Sequence, residues 1–227
     1  MVAAISFKID ELREYAVAAG LSLNFVVKEA FMFELMDLMA GAGFVLKGGT
    51  AINKGFLQGH QRFSEDLDYD TDHTAEQVRR IIASLGWDIK KEFYTKSSIG
   101  FMMHYRYEGI NDVVRIDVSF GIKGAAERIR LASDFVPASK IVETYVFKEL
   151  NRQKEAAFEA RLEWKDLYDL YWLHSLYPSK FSITDRSGFV RALSTIKVPK
   201  TANAYIPVQK RPNWNAVIEE LKFAASR

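Results

Sequence analysis

Phe44-Val-Leu-Lys-Gly-Gly-Thr-Ala-Ile-Asn-Lys-Gly-Phe-Leu-Gln-Gly-His-Gln-Arg-Phe-Ser-Glu-Asp-Leu-Asp-Tyr-Asp70 is the stretch whose reading decides the fold. A short apolar run, Phe44 to Leu46, has strand length; it breaks at Gly48-Gly49-Thr50 and resumes as a short helical stretch, Thr50 to Leu57, ended by Gly59. Further on, Leu67 and Tyr69 alternate with Asp66, Asp68 and Asp70, as a strand requires. Side chains at i and i+2 of a strand share a face, so Asp66 and Asp68 can hold one hard cation between them. The glycine turn would open a helix, whose free N–H groups and positive dipole end suit a phosphate. A phosphate cradle beside paired carboxylates meets the needs of nucleotidyl transfer, in which a hydroxyl attacks an α-phosphate and pyrophosphate leaves.

Working outward, the first forty residues read as two helices. Ile9, Leu12, Tyr15 and Ala16 recur at helical spacing; Ser22 can cap a second helix bearing Phe25, Val26, Phe31, Met32, Leu35 and Met36, stopped by Gly41 and Gly43. Thr74 caps a helix expected over Ala75 to Leu85. Trp87–Tyr94, Gly100–Tyr107 and Val113–Phe120 are rich in aromatic and β-branched residues and read as strands, with a turn at Glu108-Gly109-Ile110-Asn111. Asp117 interrupts the third of these. A charge inside a strand otherwise apolar enough to be buried needs a partner or a metal, which makes Asp117 the candidate third acid.

From Ser139 the pattern reads as helical, through Ile141, Tyr145, Leu150, Phe158, Leu162, Leu167, Leu170, Tyr171 and Leu173, until Pro178. An amphipathic helix, Val217 to Ala224, closes the chain. The expected fold class is α/β (α+β): a mixed sheet flanked by helices over residues 1–123, then a mainly helical part over 124–227 with a basic tail.

Composition narrows the chemistry. The 227 residues are 48% apolar and 26% charged, and with no cysteine there is neither a disulfide framework nor a thiolate site. Met1 to Lys8 has no basic stretch leading an apolar run, and Phe25 to Ala40 is broken by Lys28, Glu29, Glu34 and Asp37, so the expectation is a cytoplasmic protein with no membrane partner. Net charge is +2, but residues 178–227 carry nine Lys/Arg against three Asp/Glu; an acidic site-bearing part with a basic tail suits RNA. His60, His73, His104 and His174 follow no metal spacing, and no G-x-S-x-G elbow is present. Asp66, Asp68, Asp70 and Asp72 imitate the start of an EF-hand, but Thr71 and Gln77 stand where that loop needs Gly and Glu.

The runs LKGGTA (46–51), RFSEDLD (62–68) and RIDVS (115–119) resemble the AbiEii/AbiGii-type toxin nucleotidyltransferases, a branch of the DNA polymerase β-like superfamily. Glu143 with Lys148 matches a family motif of Glu and a Lys five residues on, and Lys165-Asp166-Leu167-Tyr168-Asp169 matches an Arg-Asp-x-x-Asp motif. These anchors span residues 44–173. The resemblance implies that Gly48, Gly49 and Thr50 hold a nucleoside triphosphate (NTP), with Ser64 lining the same pocket. It implies that Asp66 and Asp68 bind Mg2+, or Mn2+ in its place, with Asp117 joining them at the second motif. Lys148 would contact phosphate, and Asp166 would complete the site from the helical half. Two departures stand out: Thr50 replaces the superfamily's usual serine but keeps the hydroxyl, and Lys165 replaces an arginine, losing its fork geometry.

The implied activity is magnesium-dependent transfer of an NMP to an acceptor, with tRNA or another RNA first, by the toxin of a toxin–antitoxin or phage-defence pair with a cognate antitoxin protein. The rival readings keep the chemistry with a small-molecule or protein hydroxyl as acceptor, or make the chain a catalytically silent module binding nucleotide or a partner. Tyr168, Tyr171 and Trp172 are expected in the core. Tyr205 and Trp214, flanking Lys210-Arg211, are candidates for stacking on nucleic acid, with packing against the domain the plainer expectation.

Overall fold

The computed structural model describes residues 5–226; of the Met1–Lys8 stretch read for a leader, Met1 to Ala4 lie outside the described residues. The strands are β1 (Phe44–Lys47), β2 (Asp66–Thr71), β3 (Asp88–Tyr94), β4 (Ser98–Tyr107), β5 (Ile110–Phe120), β6 (Ala126–Ala132) and β7 (Ser139–Tyr145). They form one mixed sheet in the order β3-β4-β5-β2-β1-β7-β6. β2 lies antiparallel to β1 and parallel to β5, while β4 and β5 form a long hairpin in unbroken register from Ser98↔Ser119 to Tyr107↔Ile110.

The helices are α1 (Ile9–Ala19), α2 (Leu23–Met39), α3 (Gly48–Phe56), α4 (Ala75–Ser84), α5 (Phe147–Arg161), α6 (Trp164–Leu176), α7 (Arg186–Thr195) and α8 (Trp214–Ala225). α2 buries residues around most of its circumference, with Val26, Val27, Phe31, Met32, Leu35 and Met36 all buried, as a core helix does, and keeps Asn24 and Asp37 exposed. It lies across one face of the sheet, where Phe31 stacks on Tyr105 at 4.2 Å and meets Trp87 edge-on. Ser22 occupies its N-cap position without making a side-chain cap bond. Thr74 does cap α4: its hydroxyl accepts from Gln77 N while the Gln77 side chain returns to Thr74 N.

Two differences from the sequence reading matter. The sheet does not end near residue 123, because β6 and β7 extend it past β1. Ile141 and Tyr145, spaced as on a helix, lie on β7 instead, with Val142 and Thr144 buried and Ile141 exposed. Short stretches satisfy both periods, and pairing with β6 and β1 decides between them. The helical part therefore begins at Phe147. It has a small core of its own, with Phe158, Leu167, Leu170, Phe189, Leu193, Val217 and Leu221, and includes α7, whose cap is Asp185 accepting from Gly188 N at 3.0 Å.

The tail packs as expected. Tyr205 stacks on Phe25 at 5.2 Å, and Trp214 meets Trp164 edge-on at 6.0 Å. On α6, Tyr168 is buried as expected, while Tyr171 and Trp172 are half-buried. Among the described residues no single helix is long and apolar enough to cross a membrane.

Candidate active site

β1 runs directly into Gly48, the first residue of α3, and this places the helix N-terminus beside β2. Gly48 has φ +70°, and a Cβ there would stand 2.5 Å from Asp68 Oδ2; only glycine lets the turn pass so close to that carboxylate. Thr50 Oγ1 lies 2.7 Å from the Asp66 carbonyl oxygen and 2.9 Å from Ser64 Oγ, tying the first turn of α3 to the start of β2. Thr50 and Ser64 are both buried, and these bonds set the turn's position.

Register brings the acids together. Asp68 stands opposite Lys47 on one side and Asp117 on the other, and Asp66 stands opposite Arg115. Burial pushes the Asp68 carboxyl up to about 7, helped by the negative charges of Asp66 and Asp117. Asp117 itself is gripped by Arg115, whose Nε is 2.6 Å and Nη2 3.1 Å from its two oxygens.

Behind the acids, Lys47 bonds to Asp70 and donates to Ser119 Oγ at 3.1 Å, and Asp70 also accepts from Tyr145 OH at 2.7 Å. This network braces β1, β2, β5 and β7 at the level of the site.

The opposing wall comes from α5. A cleft of about 280 Å³ has Gly48, Gly49 and Asp68 on one side and Gln153, Lys154 and Arg161 on the other. Lys154 is buried, with Nζ 3.0 Å from Asp166 Oδ1 and 2.9 Å from Asp169 Oδ2. Burial works against its charge, but Asp169 and Asp166 outweigh it and hold the ammonium above its ordinary pKa. Arg161 forks onto Asp166 at 2.6 and 2.7 Å. Burial likewise opposes ionisation of Asp166, and Lys154 and Arg161 overcome it, keeping the carboxyl below its ordinary range.

Asp169 completes a second fork, accepting from Arg62 Nε at 2.9 Å and Nη2 at 2.7 Å. Asn53 joins the two halves, with Nδ2 donating to Asp169 Oδ1 at 2.9 Å and to the Gly49 carbonyl at 3.0 Å.

Of the residues singled out by sequence, Gly48, Gly49, Thr50, Ser64, Asp66, Asp68 and Asp117 are brought to one place. Asp166 is wholly buried; it holds Lys154 and Arg161 in position and does not line the cleft. Lys148 is exposed on the first turn of α5 and does not line the cleft either. Lys154 lies six residues further, about 120° around the helix from Lys148, and that rotation separates cleft from surface. Lys165 pairs with Glu65 at 2.6 Å.

Sequence reading missed Lys154, Arg161, Arg62 and Asn53. A signal for the first two was present: Lys154 and Arg161 are seven residues apart and so share a helix face.

The donor set suits a hard divalent ion. Among the described residues no protein group hydrogen-bonds the side chains of Asp66 or Asp68, and their mutual repulsion is what a cation would relieve. No three Asp, Glu, His or Cys side chains among the described residues close into a metal cage, and Asp117 is turned to Arg115. Two carboxylates with the remaining positions left to phosphates and water is an ordinary magnesium arrangement.

A mixed sheet offering paired aspartates across from a glycine turn, with two cations on a facing helix, defines a phosphoryl-handling enzyme of the nucleotidyltransferase class. Residues 30–225 match the model of the nucleotidyl transferase AbiEii toxin family of type IV toxin–antitoxin systems, and the chain belongs to that family. It is a nucleotidyltransferase.

Solved structures share the fold. JHP933 from Helicobacter pylori superposes with a TM-score of 0.67 at 21% identity, covering 91% of this chain and 92% of that one. The nucleotidyltransferase toxin MenT4 from Mycobacterium tuberculosis H37Rv gives a TM-score of 0.69 at 13% identity, covering 97% and 90%. No curated protein sequence matches the chain.

Proposed function

We propose that the protein is a magnesium-dependent toxin that moves an NMP from an NTP onto the 3′ end of an RNA, with tRNA the first candidate. The observation that carries this reading is the single cleft in which Asp68 faces Gly48, Gly49, Lys154 and Arg161. The N–H groups at the start of α3 would cradle the triphosphate, and Lys154 and Arg161 would meet its charge from the other wall. Asp66 and Asp68 would hold the metal, which supplies positive charge to the triphosphate and to the entering and leaving oxygens.

In the transfer, the acceptor oxygen bonds to the α-phosphorus, and the bond from that phosphorus to the bridging oxygen breaks. Pyrophosphate leaves with the electron pair. The hydroxyl proton would pass to a carboxylate; that Asp117 is half-buried and directly opposite Asp68 supports giving it this role once Arg115 lets go of it. The nine Lys/Arg of residues 178–227 support an RNA acceptor. Such an activity belongs in the cytoplasm and calls for an antitoxin protein to restrain it.

The test incubates the protein with each α-labelled NTP, magnesium and total tRNA, beside Asp68→Asn. Label on tRNA that needs both Asp68 and magnesium is the expected result. Full activity in EDTA would overturn the metal requirement, and label on protein or a small molecule instead of RNA would replace the acceptor.

A further inference from the structure

The half of the sheet beyond Asp117 carries a surface that the nucleotide cleft does not use. Along β4 and β5, Ile99, Phe101, Met103, Val114, Ile116 and Val118 go to the buried face. The other face of β3, β4 and β5 presents Lys91, Phe93, Met102, Arg115 and Asp117, each exposed or half-buried.

Register arranges them in two rows that lead to the site. One row runs Phe93, Gly100, Asp117, Asp68; the next runs Lys91, Met102, Arg115, Asp66. Two strand spacings separate Phe93 from Asp117, about 10 Å, a distance that suits a flat base at one end and its sugar hydroxyl at the other.

Gly100 keeps that path open. A Cβ there would stand 2.6 Å from Asp117 Oδ1 and 3.6 Å from Phe93 Cδ2, so the floor between ring and carboxylate is bare backbone. Lys91 Nζ lies 4.6 Å from the Phe93 ring centroid, putting a cation and an aromatic face at one spot. Aromatic faces beside basic side chains are what unpaired nucleotides bind, the base by stacking and the phosphate by charge.

We propose that this shelf is the acceptor subsite and takes the single-stranded 3′ end of an RNA, a proposal that rests on the RNA reading above. The terminal base lies on Phe93 and Met102, and the backbone phosphates meet Lys91 and Arg115. Arg115 also acts as a positioning residue. Without acceptor its guanidinium occupies Asp117; an incoming phosphate draws it off and leaves that carboxylate facing the acceptor hydroxyl.

The experiment measures binding of a short fluorescent single-stranded RNA with a free 3′ hydroxyl to the full chain, and separately the KM for RNA and for NTP. Phe93→Ala should weaken RNA binding roughly ten-fold and raise the RNA KM alike, with the NTP KM unchanged and Phe93→Tyr restoring both. Arg115→Gln should weaken RNA binding and reduce its salt slope by about one. Arg13→Gln, on α1, is the charge control and should change nothing. Phe93 sits on an open face, so Phe93→Ala and Phe93→Tyr should melt near the wild type; Arg115→Gln frees Asp117 beside Asp68 and should melt somewhat lower while staying folded at the assay temperature.

Unchanged RNA affinity in both Phe93→Ala and Arg115→Gln overturns the shelf, as does a wild type that binds no RNA. If wild type labels RNA while these variants bind it normally, the shelf falls and the transfer reading stands. If the variants lose RNA binding but wild type labels no RNA, the shelf stands and the transfer reading falls.

Discussion

Gly48→Ala separates backbone strain from damage to the site. The residue has φ +70°, where an alanine costs about 1–2 kcal/mol. For a chain of this length that lowers Tm by about 2–8 °C. The new Cβ would also stand 2.5 Å from Asp68 Oδ2, so either the turn or the carboxylate must give way. Gly41→Ala is the matched control, with φ +75° and nothing within 4 Å of the added methyl. Both variants should therefore lose a few degrees in a thermal melt, Gly48→Ala at least as many as Gly41→Ala. Only Gly48→Ala should lose activity, and a displacement near 1 Å at a reacting group costs on the order of a hundred-fold. Transfer from labelled NTP, with NTP binding by calorimetry alongside, reads the second effect independently of acceptor. A Gly48→Ala enzyme working within about threefold of Gly41→Ala would refute the claim that this glycine exists to admit Asp68.

Other perturbations follow from the same geometry. The folded pKa of Asp68, about 7, lies above the ordinary carboxyl value of 3.8, so the native state holds that proton more tightly. Its stabilising contribution is complete below about pH 4 and is lost as pH rises through 7. In metal-free melts Asp68→Asn should match wild type at pH 4 and exceed it at pH 8 by about 1 kcal/mol or more; equal Tm at pH 8 would count against the charge crowding. Added magnesium should raise the wild-type Tm at pH 8 and leave Asp68→Asn unmoved. Lys154→Met strips a cation from buried Asp166 and Asp169 and should cost about 3 kcal/mol, along with NTP affinity. Lys148→Met, on the exposed side of α5, should stay within about 0.5 kcal/mol and keep the NTP KM, and a large rise in that KM would restore Lys148 to the site. Gly49→Val places a Cβ 2.8 Å from Arg62 Nη2, so it should cost about 1–3 kcal/mol by prising Arg62 from Asp169; an unchanged melt would show that the fork can slide.

The helical half was harder to read than the sheet. Asp166 and Asp169 look in sequence like surface charges on an amphipathic helix, yet both are completely buried. They can be, because Lys154, Arg161 and Arg62 arrive from other elements to neutralise them. β6 was also obscure: Glu127, Arg128 and Arg130 dilute its apolar residues, as suits an edge strand that buries only one side.

Sequence by itself determined the strand, glycine turn, helix and the Asp66/Asp68 pair, because these depend on local period, on conformations that glycine favours, and on carboxylates held two residues apart. It also placed Asp117 on a strand, since Val113, Val114, Ile116 and Val118 around it are β-branched. Only the tertiary structure decided which cations face the aspartates. Lys148 and Lys154 are chemically equivalent in sequence, and the packing of α5 against α3 and α6 sets which of them turns inward. Likewise Asp117 meets Arg115 and stands beside Asp68 only because β5 pairs with β2 in one register. Such register and helix rotation are settled by the burial of distant side chains, a long-range property that no single stretch of the chain records.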